Sequence, residues 1–463
     1  MPANPAAPDR YRWTIGMLLG LGVLVNYYDR VNLTVSHNAL IAAFGIREST
    51  FGFLLSAYSW TYAACQLPMG VVLDKVGVRR VMIWGIAVWG VASLAAGLAP
   101  GVLLFFLARL LLGIGEAPTF PANAKAVGLW FPQAERSLAT SIFDSASKLA
   151  NATGVPLLGL LLLRIGWRLS FGVTALLSFG FLALFALLYR EPKRHSLRDM
   201  QQQFAAEHTD AKTYADGRII SPEERRAING LIAESMPPAE ANAVPPIPLR
   251  TLLRQRKVIG LTLGYAGYNY VFYLLMTWMP KYLSSQLHIT DAKSFIFTGM
   301  PWLVAVAAEF LIGGLLVDWL IKSGRDAGRV RQVVLVCGTL CGLGLFGAAF
   351  ATTVPQALLA ISIAIGGLSA AAPVGWAGPS ILVPDSSTGR VGGILNFSNQ
   401  ICAILAPIIT GFVYERTHSF AWAFGIATAI LCVGILAYIF LLGRVESIDV
   451  QAALRDTPIA SLP

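Results

Sequence analysis

Charge is scarce in this chain: Asp, Glu, Lys and Arg together make up 13% of it. A soluble globular protein carries about 25%, so the chain has too few charges to cover a water-facing surface. Cysteine is scarce as well. Cys65, Cys337, Cys341, Cys402 and Cys432 all lie inside apolar segments. None has metal-site spacing, so they read as small packing residues and no metal is expected. His37, His195, His208, His288 and His418 are scattered along the chain. Without a nucleophile–base or metal constellation, neither an enzyme nor a cofactor is expected. The net charge of +10 invites a nucleic-acid reading, but the cations fall in short segments between apolar runs, which argues against that partner. Arg10 and Arg12 precede the first run and no small-residue cleavage site follows it. That run is read as a retained first span rather than a signal peptide.

Hydrophobic residues, by contrast, make up 56% of the chain. They fall in runs of about 20, the length that crosses a bilayer as a helix. Twelve candidate spans are expected, at about 13–36, 50–73, 80–99, 101–121, 136–163, 168–189, 257–287, 295–321, 330–351, 354–378, 387–413 and 420–443. The expected fold is an all-α membrane protein of twelve transmembrane helices in two pseudo-symmetric six-helix bundles, at 1–189 and 257–445. A polar, basic linker occupies 190–256 and a tail 446–463. In the linker, Ser221 can cap a helix, Pro222 suits its first position and Glu224 completes a capping box. A short amphipathic helix on the membrane surface is expected there. "MPPAEANAVPPIP" after it reads as a connector.

Lys and Arg crowd the segments on one side, among them Lys75, Arg79, Arg80, Lys257, Arg325 and Arg329. The other side holds few, among them Arg164, Arg168, Lys281, Lys293 and Arg416. The bias puts both termini in the cytoplasm. There is also an internal repeat. "GVVLDKVGVRR" (70–80) follows the second expected span and "GLLVDWLIKSGR" (314–325) the eighth. Each has Gly, three apolar residues, Asp, then Gly with basic residues, which implies two related halves.

The first of these stretches, with Gly70, Asp74, Gly77, Arg79 and Arg80, resembles the cytoplasmic signature of the major facilitator superfamily. In physical terms Gly70 permits close helix packing, and Asp74 can latch an inner gate by pairing with a base or capping a helix end. "NYYDR" (26–30), "YAACQLPMG" (62–70), "RLLLGIGEAPTFPANA" (109–124), "WFPQAERS" (130–137) and "GGILNFSNQ" (392–400) are similar to the anion:cation symporter family. That family includes bacterial galactonate, hexuronate and glucarate carriers and animal vesicular glutamate transporters and sialin. The resemblance implies a monomeric carrier in a bacterial inner membrane, with a small organic anion, protons and the lipid bilayer as its partners.

Charged side chains at bilayer depth cost about 2.5–3.5 kcal/mol on insertion scales and need partners or a wet cavity. Asp29, Arg30, Arg109, Glu116, Asp144, Lys148 and Glu309 lie within the expected spans. Asp29 and Arg30 are neighbours and diverge by about 100° around a helix, so one can face a cavity and the other an adjacent helix. Arg109 and Glu116 share a face. Asp144 and Lys148 are spaced i,i+4 and can pair. Glu309 stands nearly alone in the second half and reads as structural or pore-lining. Arg30 is the first choice to grip a carboxylate, because arginine can do so bidentately. Asp29 and Glu116 suit proton coupling. The resemblance implies the same roles for Asp29, Arg30, Arg109 and Glu116. It also implies a lining of Tyr27, Tyr28, Tyr62, Asn269, Trp376, Asn396 and Asn399, and it puts Ser147 and Tyr265 where the galactonate carriers of the family use glutamines. Those two departures, with Lys148 beside Ser147, open the site to a dicarboxylate or aromatic acid.

The function expected is proton-coupled uptake of a sugar acid (an aldonate, aldarate or hexuronate) by alternating access. The alternatives are a carrier of a dicarboxylate or aromatic acid, a proton/substrate antiporter and a non-transporting sensor or anion channel. "NATGVPLLG" (151–159) contains part of an antiporter-type glycine–proline pattern.

Overall fold

A computed structural model of the chain describes residues 9–131, 136–191 and 247–448. The expected amphipathic helix of the linker, the "MPPAEANAVPPIP" connector and most of the tail lie outside the described residues. Where the structure describes the chain it is helical throughout, apart from short connections.

The first half holds α1 (Asp9–Val35), the short α2 (His37–Phe44), α3 (Glu48–Val76), α4 (Val78–Leu98), α5 (Val102–Trp130) and α6 (Arg136–Leu188). The second holds α7 (Arg256–Gln286), α8 (Asp291–Lys322), α9 (Ala327–Ala349), α10 (Val354–Leu382), α11 (Asp385–Thr417) and α12 (Ala421–Leu442). In the first half α1 and α4 pack along α6, and α5 lies between α3 and α4. In the second, α10 packs against α8 and α9, and α7 against α11 and α12. Two long seams join the halves, α3 on α11 and α6 on α8.

Among the described residues nine helices are long and apolar enough to cross a membrane, or ten if the bent pair His37–Phe44 and Glu48–Gln66 is one span. The expected twelve is not reached on this measure, for two physical reasons. The fifth and sixth expected spans run together as the 53-residue α6, broken only at Gly166, whose φ of 78° no helix holds. α1 has the length, but Asn26, Asp29, Arg30 and Asn32 dilute its hydropathy.

Burial is inverted relative to a soluble protein. Trp84, Leu169, Leu176 and Leu187 are among the large apolar side chains exposed on the outside, whereas Asn26, Asp29, Arg109, Glu116 and Asn151 are fully buried. A protein that solvates its exterior with acyl chains has no reason to hide apolar groups and every reason to hide charges.

The sequence repeat has a matching backbone. Gly77 ends α3 at φ 92° and Gly324 follows α8 at φ 86°. Both have a positive φ, which glycine adopts without strain. Beyond Gly324, Asp326 caps α9 by accepting from the Arg329 backbone N–H at 2.7 Å. That hydrogen bond, helped by Arg444, holds its carboxyl below the usual range.

Candidate functional site

α1 delivers Tyr27, Asp29 and Arg30 to the interior. Arg30, 5% exposed, points toward α3 and α5. Its Nε donates to Glu116 Oε2 at 2.8 Å, and its Nη2 lies 2.7 Å from the same oxygen. Its Nη1 donates to the Tyr58 hydroxyl at 3.3 Å. The guanidinium carbon stands 4.5, 4.7 and 5.4 Å from the ring centroids of Tyr27, Tyr58 and Tyr62, so three aromatic faces stabilise the cation. Tyr58 was not among the residues expected from the sequence. Its place one turn before Tyr62 on α3 was the available signal.

Asp29 turns the other way, as the 100° divergence requires. It accepts from Ser93 of α4 at 2.6 Å and Ser178 of α6 at 3.0 Å. Arg109 is 2% exposed and donates from Nη1 to the Asp29 backbone carbonyl at 3.3 Å. Arg109 and Glu116 lie on one buried face of α5, as their spacing implies. Seven residues put two side chains on one face but about 10 Å apart along the axis, and Arg30 from another helix reaches Glu116 instead. The second Glu116 oxygen, Oε1, is buried without a hydrogen-bond partner.

A second charged cluster joins the halves. Lys148 Nζ of α6 lies 2.8 Å from Glu309 Oε2 of α8 and 3.2 Å from Asp144 Oδ2 of its own helix. Glu309, which looked solitary in the sequence, thus has a cationic partner 161 residues away, a pairing that no spacing rule could reveal.

The other expected lining residues sit as follows. The Tyr28 hydroxyl pairs with that of Thr153 at 3.0 Å. Ser147 donates to its own helix at the Asp144 carbonyl (2.7 Å), and Asn269 donates to the Tyr265 carbonyl (3.0 Å). Tyr265 tilts against Trp376 at 6.2 Å, and Trp376 is 51% exposed. Asn396 donates across the halves to Gln66 Oε1 at 2.5 Å. Asn399 is half-buried one turn away on α11. In the gating motif, Arg79 donates to the carbonyls of Tyr189 and Ala186 at 3.0 and 2.8 Å, tying the start of α4 to the end of α6. Arg80 is exposed. Gly70 and Asp74 lie in the last turns of α3, and the Asp74 side chain is outside what the structure describes. A hollow of about 480 Å³ lies elsewhere, between the start of α7 and the end of α12. There Lys257 is engaged by Glu446 at 3.2 Å, and neither charged cluster reaches it.

Helices that carry paired charges inside and apolar side chains outside suit a membrane transporter for small solutes. The sequence comparisons agree. Residues 19–325 match the Major Facilitator Superfamily, and the chain belongs to that family. Relatives include the transporter YybO of Bacillus subtilis (strain 168), 33% identical over 95% of this chain and 96% of that protein. A probable L-galactonate transporter of Escherichia coli (strain K12) is 31% identical over 93% and 89%. The probable galactarate/D-glucarate transporter GarP of the same strain is 27% identical over 95% and 96%. The crystal structure of a D-xylose–proton symporter superposes with a TM-score of 0.69 at 16% identity, over 95% of this chain and all of that one, which bears on the fold.

Proposed function

We propose that this protein is a proton-coupled importer of a small organic anion, a sugar acid, in a bacterial inner membrane with both termini cytoplasmic. The bundles at 1–189 and 257–445 rock about a site at mid-membrane. The observation that carries this reading is the state of Arg30: a buried guanidinium, ringed by tyrosines, whose counter-ion is a single carboxylate oxygen of Glu116. The names of the galactonate and galactarate/D-glucarate relatives support the substrate class.

Coupling follows from competition for one cation. Ionised, Glu116 occupies Arg30 and an incoming carboxylate meets a neutral pair. Protonated on its unpartnered Oε1, Glu116 no longer neutralises the guanidinium, and the substrate carboxylate takes its place. Proton and anion then bind together. Asp29, held by two serine hydroxyls with Arg109 behind it, is the second coupling acid. Tyr62, Asn269 and Asn396 complete the lining.

The test is uptake of labelled galactonate and galactarate into proteoliposomes. An inward proton gradient is expected to drive accumulation. Glu116→Gln should lose that accumulation yet keep substrate exchange at equal pH. Uptake driven only by an outward gradient would make the protein an antiporter, and normal accumulation by Glu116→Gln would remove Glu116 from the coupling.

A further inference from the structure

We propose that Lys148 receives a second anionic group of the substrate, and that Glu309 is the internal carboxylate which that group replaces. The inference rests on the organic-anion reading and deepens it: the substrate is a dianion with a charge at each end.

The ion pair is placed where such an exchange has consequences. Lys148 and Glu309 side chains are 4% and 9% exposed, 2.8 Å apart, and belong to opposite halves. Helix adhesion alone does not account for a charge pair here. The α6–α8 seam is already closed by backbone approach: a Cβ on Gly299 would lie 2.5 Å from the Ala152 carbonyl, and one on Gly159 would lie 2.3 Å from the Phe295 ring. Apolar side chains serve adhesion as well as a buried ion pair or better, because they carry no desolvation penalty.

Glu309 is also the first residue of a π-helical segment, Glu309–Leu316, inside α8. Such segments hold one residue more per turn than an α-helix tolerates at rest, and they gather at functional positions. Lys148 would keep a partner while Glu309 moves, because Asp144 remains 3.2 Å away. The Asp144 side chain is 46% exposed. A carboxylate partly exposed at that depth is placed to meet water rather than acyl chains, and Lys148 lies 3.2 Å behind it.

The Tyr27 ring of α1 lies 4.5 Å from the Arg30 guanidinium, and α1 packs along α6, the helix that carries Lys148. Two buried cations, Arg30 and Lys148, match an extended acid ionised at both termini. Each cation is matched by a protein carboxylate, Glu116 or Glu309, that stands in for one terminus.

The test compares acids that differ at one terminus only. Purified full-length protein is titrated by calorimetry with galactarate and galactonate, and with glucarate and gluconate. Wild type is expected to favour the dianion of each pair by about tenfold or more. Lys148→Gln/Glu309→Gln, which removes both charges and keeps both shapes, should bring the ratio to within about twofold of one. Glu309→Gln alone should widen it, since the internal competitor is gone. A wild type that binds the monoanions without preferring the dianions overturns this inference and leaves the organic-anion reading intact. A ratio retained in the double variant also overturns it. A wild type that binds none of the four acids overturns both readings.

Discussion

Arg30 is placed so that stability and the proposed anion binding fall on one residue. It is buried, and so is the carboxylate it neutralises. Removing one member of such a pair leaves an uncompensated charge, at about 3–5 kcal/mol. Arg30→Ala should therefore melt earlier in detergent and bind no anion. Arg30→Met/Glu116→Gln, which removes both charges, should recover most of the melting temperature and still bind nothing. Thermal unfolding and titration on the same preparations separate the two effects; a double variant that binds like wild type would dismiss Arg30 as the anion receptor. The sequence made the residue types legible but not all of their partners. Asp29, Arg30, Arg109 and Glu116 stood out because charges are rare in apolar runs. That Glu116 answers to Arg30, with Arg109 behind Asp29, depends on how α1, α3 and α5 lie against one another. Periodicity along one helix cannot supply that. The Glu309 pairing was missed for the same reason, being a contact between distant segments, whereas Tyr58 was missed although its spacing from Tyr62 offered it.

At the scale of helices, close approach is arranged by absent side chains. α5 crosses α3 at Gly113, where an added Cβ would sit 2.1 Å from the Tyr58 carbonyl and 2.3 Å from Thr61 Oγ1. Both atoms belong to the helix that carries Tyr58 and Tyr62, so α3 must shift if the space is filled. Gly113→Ala should cost about 1–3 kcal/mol by overpacking and should also weaken anion binding by moving the tyrosines off Arg30. An unchanged melting temperature would show that the crossing is looser than it stands here. The helices themselves were the most legible part of the chain, because a run of about 20 apolar residues has one economical conformation in a bilayer. The break at Gly166 falls in the expected gap between 163 and 168. Segments were harder where polar residues interrupt the runs, as in α1, and those interruptions are where the candidate site lies. The twelve-span count is therefore least secure where function concentrates.

Over the whole molecule, polar contacts between the halves gather at the end where α1 finishes. Lys281 Nζ lies 3.4 Å from Glu48 Oε1 and donates to Asn38 Oδ1 at 3.1 Å. Asn38 donates to Asp291 at 3.3 Å, and the Ser49 backbone N–H donates to Glu415 Oε2 at 2.9 Å. His37 Nε2 sits 2.7 Å from Glu48 Oε2. Beneath this latch the α3–α11 seam is closed to backbone distance, since a Cβ on Gly52 would be 2.6 Å from the Pro407 carbonyl. In the proposed orientation, with both termini cytoplasmic, that end is the outside and the latch would oppose an outward-open form. A carrier that works by alternation must break it once per cycle, which limits how strong it can be. Lys281 and Glu48 are 16% and 19% exposed, and a partly solvated pair of this kind is worth about 1 kcal/mol. Lys281→Ala should therefore raise the outward-open population about fivefold. The readout is labelling of Thr34→Cys, a buried position beside Pro280 and Lys281, by a membrane-impermeant maleimide in a background lacking the native cysteines. Faster labelling in Lys281→Ala is the expected result. A rate equal to that of the parent would mean that the glycine-packed seam, and not the charge network above it, holds the outer face shut.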